Sequence, residues 1–235
     1  MPVYNGFMFY RLFILFCLSL QTIFPVFASD SNDPIDGSVT SSEALQRLRA
    51  GEVLIENAGE EDSGGSIRAQ VLINGDPKTL WHFFATCEST HLYILGLKSC
   101  EVLSVEYEAE SDMTLLQQVV KKSWVVPKID YIIMVRRQAP TRVDFQLVEG
   151  NLRVMEGGWR FRQLENEPAY ILTHEIRIRP SFPVPRWLLR RIIRQDVPDM
   201  LACLRGLVKG SGKNALDEDL KRCPRQKRRA RKESG

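Results

Sequence analysis

Between Glu101 and Arg179 the sequence alternates apolar and polar residues in six successive stretches. Glu101–Glu108 sets Leu103, Val105 and Tyr107 on one face, and Leu115–Val125 is the second stretch. Ile129–Arg137 aligns Tyr131, Ile133 and Val135, and Arg142–Val148 sets Val143, Phe145 and Leu147 against Asp144 and Gln146. Met155–Gln163 places Trp159 and Phe161 together, and Tyr170–Arg179 turns Leu172, His174, Ile176 and Ile178 inward. A period of two is the pattern of a half-buried strand. Strands joined at Pro140, Gly150-Asn151 and Glu167-Pro168 make an antiparallel meander with one apolar face. That face needs a cover, and the chain supplies one immediately. From Arg186 onward Trp187, Leu188, Ile192, Val197, Met200, Leu201, Leu204 and Val208 recur at helical spacing. Pro198 is expected to kink this helix or divide it after Asp196.

The residues before the meander add a strand and a helix. Ile67, Ala69, Val71 and Ile73 alternate with Arg68 and Gln70. Asp76 is a good N-cap and Pro77 suits the first helical position. The helix should run to about Glu88 and bury Leu80, Trp81 and Phe84, with a short helical or irregular piece over His91–Leu97. Ser42–Leu48 reads as a turn or two of helix within an otherwise polar leader, residues 29–65, so the folded domain is expected over 66–210.

Charge is informative through its distribution. The formal net charge is +3, but Lys213–Gly235 alone carries nine Lys and Arg against four Asp and Glu. The body is therefore slightly acidic and the basic character belongs to a short tail, residues 211–235, expected to be disordered. Nucleic acid is not an expected partner. With 44% hydrophobic and 26% charged residues, neither a wholly disordered chain nor a multi-span membrane protein fits.

At the N-terminus, Arg11 precedes the apolar run LFILFCLSLQTIF, and Val26 and Ala28 supply small residues for cleavage. This is the order of a secretory signal over residues 1–28, with export to a periplasmic or extracellular compartment; an uncleaved anchor is the alternative. Without Cys17, four cysteines remain and three pairings are open. Cys87 and Cys100 flank one short segment and are the expected pair, while Cys203 reads as a small buried hydrophobe. His82, His91 and His174 make no ligand spacing with any cysteine, so no metal is expected. Neither G-x-S-x-G nor H-E-x-x-H occurs.

Four segments carry a resemblance. VLINGDPKTLWHFFATCE (71–88), GLKSCEVLS (96–104), YIIMVRRQAPTRVDFQLVEGNLRVMEGGWRF (131–161) and RIRPSFPVPRWLLRRIIRQDVPDMLACLR (177–205) together resemble the START/Bet v 1-like (SRPBCC) superfamily. The last segment is similar to the polyketide cyclase/dehydrase and coenzyme-Q-binding branch. The resemblance covers about residues 52–208. It implies an α+β helix-grip fold, a curved antiparallel sheet wrapped round a long C-terminal helix with a cavity between them. Members bind lipids, quinones, sterols or polyketides, and a minority catalyse cyclisation.

On this reading Trp81, Phe84, Tyr131, Phe145, Trp159, His174, Trp187, Met200 and Leu204 are the candidate ligand-binding residues. The ligand is a hydrophobic small molecule, lipid- or quinone-like, and no cofactor or catalytic residue is assigned. His174 is the one inward group able to act as acid or base near neutrality. An aromatase or cyclase that depends on it is the second reading, and an interaction module with a closed cavity is the third. Arg186, Arg190, Arg191 and Arg194 beside Trp187 and Leu188 are suited to transient contact with an anionic membrane surface, as is the RQKRRARK tail.

Overall fold

The structure is a computed structural model and describes residues 41–56, 65–108, 111–122, 126–209 and 218–224. In chain order the elements are α1 (Ser42–Arg49), β1 (Val53–Glu56), β2 (Gly65–Asn74), α2 (Pro77–Ala85), α3 (Cys87–Thr90), β3 (Leu97–Tyr107) and β4 (Asp112–Val120). There follow β5 (Ile129–Gln138), β6 (Arg142–Gly150), β7 (Leu152–Gln163), β8 (Ala169–Pro180), α4 (Arg186–Lys209) and α5 (Glu218–Lys221). The strands form one antiparallel sheet in the order β1-β2-β8-β7-β6-β5-β4-β3. The six-strand meander expected from the alternation is β3 to β8. With α4 as its long C-terminal helix, this is the helix-grip architecture.

Local chemistry sets the boundaries. The Asp76 side chain accepts a hydrogen bond from the Lys78 backbone N–H at 2.8 Å, and Pro77 opens α2. The helix expected to reach Glu88 is interrupted at Thr86, which is extended and whose hydroxyl caps α3 at the Ser89 N–H. A β-branched cap residue favours this break over continued helix. Pro198 does not divide α4, which runs unbroken through it as one helix of 24 residues.

The helix α4 lies mainly against β2. Its buried residues Leu189, Ile193, Val197, Leu201 and Leu204 repeat every three or four positions, and they join Ile67, Ala69, Val71 and Ile73 in one core. Gly65 makes the close approach feasible: a Cβ there would stand 2.5 Å from Ile193 Cδ1. On the other side of β2 and β8, α1 and β1 form a second apolar cluster, with Leu48 and Leu54 on Leu72 and Ile171. These central strands are therefore buried on both faces.

Several expectations need correction. Within the presumed leader 29–65, β1 pairs with β2, so the folded unit begins before residue 66. The second strand of the meander is Asp112–Val120 rather than Leu115–Val125. Leu103, Val105 and Tyr107 are exposed, Tyr107 at 85%, and β3 is the terminal strand of the sheet; periodicity does not reveal which strand is at an edge. The Cys87–Cys100 disulfide is present as expected. Cys203 is not a free hydrophobe but is bonded to Cys223. Part of the presumed disordered tail is thus folded. Arg205, buried, donates to both Asp219 oxygens at 2.7 and 2.8 Å and to the Gly51 carbonyl at 3.0 Å. Burial alone would raise the Asp219 carboxyl, but the Arg205 hydrogen bonds and the charges of Arg205, Lys209 and Arg222 hold it below its ordinary value. Residues 1–28, expected to be a signal, and the RQKRRARK run lie outside the described residues.

Candidate functional site

Because α4 sits over β2, the inner faces of β4 to β7 are left partly uncovered. The space between them, α4 and the α2–α3 segment is a cavity of about 270 Å³. Its walls are mostly apolar: Ile133 and Val135 from β5, Val143 and Phe145 from β6, Ile176 from β8, and Val197 from α4. Phe145 and Ile176 stand on either side of Gly157 in the strand register, so this row carries a gap where a side chain would be. The glycine has φ +155°, and a Cβ there would meet the Glu175 carbonyl oxygen.

Of the nine candidates, Phe84, Tyr131, Phe145, Trp159, His174 and Met200 line this cavity. Leu204 is fully buried one turn beyond Met200, in the core against β2. Trp81 packs on Phe161 with ring centroids 5.6 Å apart, behind the cavity wall. Trp187 is 65% exposed and faces outward. Helical spacing gave the apolar set of α4 without showing that its stripe divides between packing, cavity and solvent.

His174 is held closely. Its ring stacks on Trp159 at 3.8 Å, and Nδ1 lies 3.1 Å from the Gly158 carbonyl oxygen. A carbonyl only accepts, so Nδ1 carries the proton and Nε2 keeps a lone pair. Burial pushes the imidazole pKa down to about 3, only partly opposed by the Gly158 hydrogen bond. The ring is neutral at physiological pH and is poorly matched to acid–base work there.

The remaining polar groups are paired among themselves. Tyr131 donates to Gln118 Oε1 at 2.8 Å, and burial holds its phenol above the ordinary value. Tyr93 is likewise pushed up to about 12 by burial. Arg137, buried, donates through Nε to the Phe84 carbonyl at 2.8 Å and through Nη1 to Asp112 at 2.5 Å and Thr114 at 2.7 Å. Lys122 and Asp196 form an ion pair between the end of β4 and α4. Gln118, Arg137, Lys122 and Asp196 were not among the candidates. Two had a visible signal: Gln118 extends the inward series Thr114, Leu116, and Arg137 extends Tyr131, Ile133, Val135.

An outer groove of about 970 Å³ adjoins the cavity along the first half of α4. Leu95, Lys122, Val126, Pro127, Ile192 and Asp196 line both. Trp187, Arg191 and Arg194 stand on the groove's rim. Among the described residues no group of His, Cys, Asp and Glu could hold a metal ion.

Residues 73–205, more than half of the chain, match the family described as polyketide cyclase / dehydrase and lipid transport. None of the curated proteins matches the chain by sequence. A STAR-related lipid transfer protein fragment from Xanthomonas axonopodis is similar in structure, with TM-score 0.55 and 13% identity, over 67% of this chain and 93% of that one. A START superfamily protein from Mycobacterium smegmatis gives TM-score 0.50 and 16% identity, over 61% and 97%. At these identities the likeness is one of fold.

Proposed function

Since the chain belongs to the polyketide cyclase/dehydrase and lipid transport family, we propose that it binds a hydrophobic small molecule, lipid- or quinone-like, in the cavity beside α4. One observation carries this reading. The described chain keeps an apolar interior space beside a surface groove rather than packing it shut. An apolar chain entering it leaves water, worth about 25 cal/mol per Å² of surface buried. Carriage rather than conversion is supported by His174, the one cavity histidine, which is neutral and fixed to Gly158.

The protein acts in an exported compartment on this proposal, with residues 1–28 as its signal. Trp187, Arg191 and Arg194 beside the groove bring it to an anionic bilayer, where a ligand can pass without crossing water. Native mass spectrometry of protein from the host's exported fraction, followed by organic extraction, tests the reading. A stoichiometric apolar molecule released on denaturation is expected. A bare mass, together with failure to bind any long-chain probe, would instead favour a module with an unused cavity. The family's cyclases keep a second reading open. It would gain if His174→Ala retained ligand but stopped conversion of a polyketide chain.

A further inference from the structure

We propose that the cavity selects an uncharged ligand, an apolar molecule whose only polar groups are hydroxyls or carbonyls, and excludes ionised lipids. This deepens the binding reading above and rests on it.

The charges along the cavity are already balanced. Arg137 reaches the wall with its charge met by Asp112 at 2.5 Å, and its Nε and Nη1 hydrogens are committed to Phe84, Asp112 and Thr114. Lys122 is met by Asp196 at the mouth. Among the described residues no other Lys, Arg, Asp or Glu lines the cavity. A carboxylate or phosphate brought inside would find no uncompensated cation, and an unpaired buried ion is far more costly than an unpaired buried dipole.

Neutral hydrogen-bonding capacity does remain. His174 Nε2 keeps its lone pair because Nδ1 serves Gly158. Tyr131 donates its proton to Gln118 and so presents oxygen lone pairs. Thr86 and Thr90 also line the space, with the Thr86 hydroxyl bonded to Ser89 and the Thr90 hydroxyl donating to the Thr86 carbonyl, which leaves oxygen lone pairs as their remaining capacity. Arg137 and Tyr131 lie six residues apart on β5, about 20 Å at strand rise. An elongated molecule can therefore set polar groups at both ends of an apolar stretch.

The test uses the whole protein loaded with Nile red, a neutral reporter, displaced by hexadecanol or by hexadecyl sulfate below their aggregation limits. Hexadecanol should displace it at about tenfold lower concentration or better, since the sulfate enters unpaired. Equal displacement, or preference for the sulfate, overturns the inference. Failure of Nile red and both competitors to bind overturns the cavity reading itself. Asp112→Asn frees the Arg137 charge and should shift the preference toward the sulfate by about tenfold. If that variant does not fold, Asp196→Asn, which removes the carboxylate facing Lys122, should shift it in the same direction. A folded variant with unchanged preference contradicts charge balance as the cause.

Discussion

The two halves of the sheet obey the same alternation and end in opposite states. Around β2 and the first half of β8, inward residues join the core beneath α4 and outward residues meet α1, and Ala69, Val71, Ile73, Ile171 and Leu172 lose essentially all contact with solvent, while β8 from His174 onward turns its inward residues to the cavity. Across β4 to β7, inward residues of the same type, such as Ile133 and Val135, face an open space. The difference lies in where the helix lands. Gly65 lets α4 press onto β2, and the Cys203–Cys223 disulfide with the Arg205–Asp219 pair fastens the helix's far end. A helix held to one side of a curved sheet leaves the other side to a ligand. Stability and binding should therefore separate onto different halves.

The largest effect expected is in the packed half. Leu204→Arg puts an unpaired charge into a fully buried position and should unfold the domain or cost more than about 4 kcal/mol, read by denaturant titration. Loss of binding in that variant would follow from loss of fold alone. Replacing both Cys203 and Cys223 by Ser should lower stability by about 2–4 kcal/mol through loss of the crosslink. Ligand affinity, measured where the protein is folded, should stay within about twofold.

The comparison can be sharpened by adding volume to each half. Ala69→Leu, beneath α4, should cost about 1–3 kcal/mol or more by overpacking. Ile133→Phe, facing the cavity, should change stability by less than about 1.5 kcal/mol and still reduce Nile red binding severalfold. Comparable destabilisation by both would mean that the cavity half is as tightly packed as the other.

A smaller effect concerns acid. His174 has a pKa near 3 in the folded chain and about 6.5 when unfolded. Between those values the unfolded state binds the extra proton, so stability is highest above pH 6.5 and falls as pH drops. This residue should contribute a loss of about 2 kcal/mol between pH 6.5 and 5. Replacing it by Gln should flatten that part of the curve, measured by urea midpoints across pH. Smallest of all, Trp187→Ala should leave stability within about 0.5 kcal/mol, while weakening flotation with anionic vesicles if the groove's rim docks there.

Much of this was legible in the sequence, for identifiable reasons. The meander, α4 and the Cys87–Cys100 pair follow from periodicity and proximity in the chain. Tyr131, Phe145, Trp159 and His174 stand at the cavity because alternation fixes which positions of β5 to β8 face inward. The misses arose where long-range geometry decides. Trp81, Trp187 and Leu204 lie on amphipathic helices, whose apolar stripe does not say which part meets sheet, cavity or water. Cys223 sits in a polar, basic context that hides its disulfide with Cys203. The inward side chain of Arg137 was obscured by its charge, although its position keeps the strand's period.

The central claim is spatial, and photo-crosslinking tests it directly. A long-chain alcohol bearing a diazirine, bound to the whole protein and activated, would be mapped by peptide mass spectrometry. The account predicts labels on the peptides holding Ile133, Val135, Phe145 and Met200, and none on β2. Labels concentrated on β2, or spread over the exposed β3 edge at Val102 to Tyr107 with β5 unmarked, would contradict it.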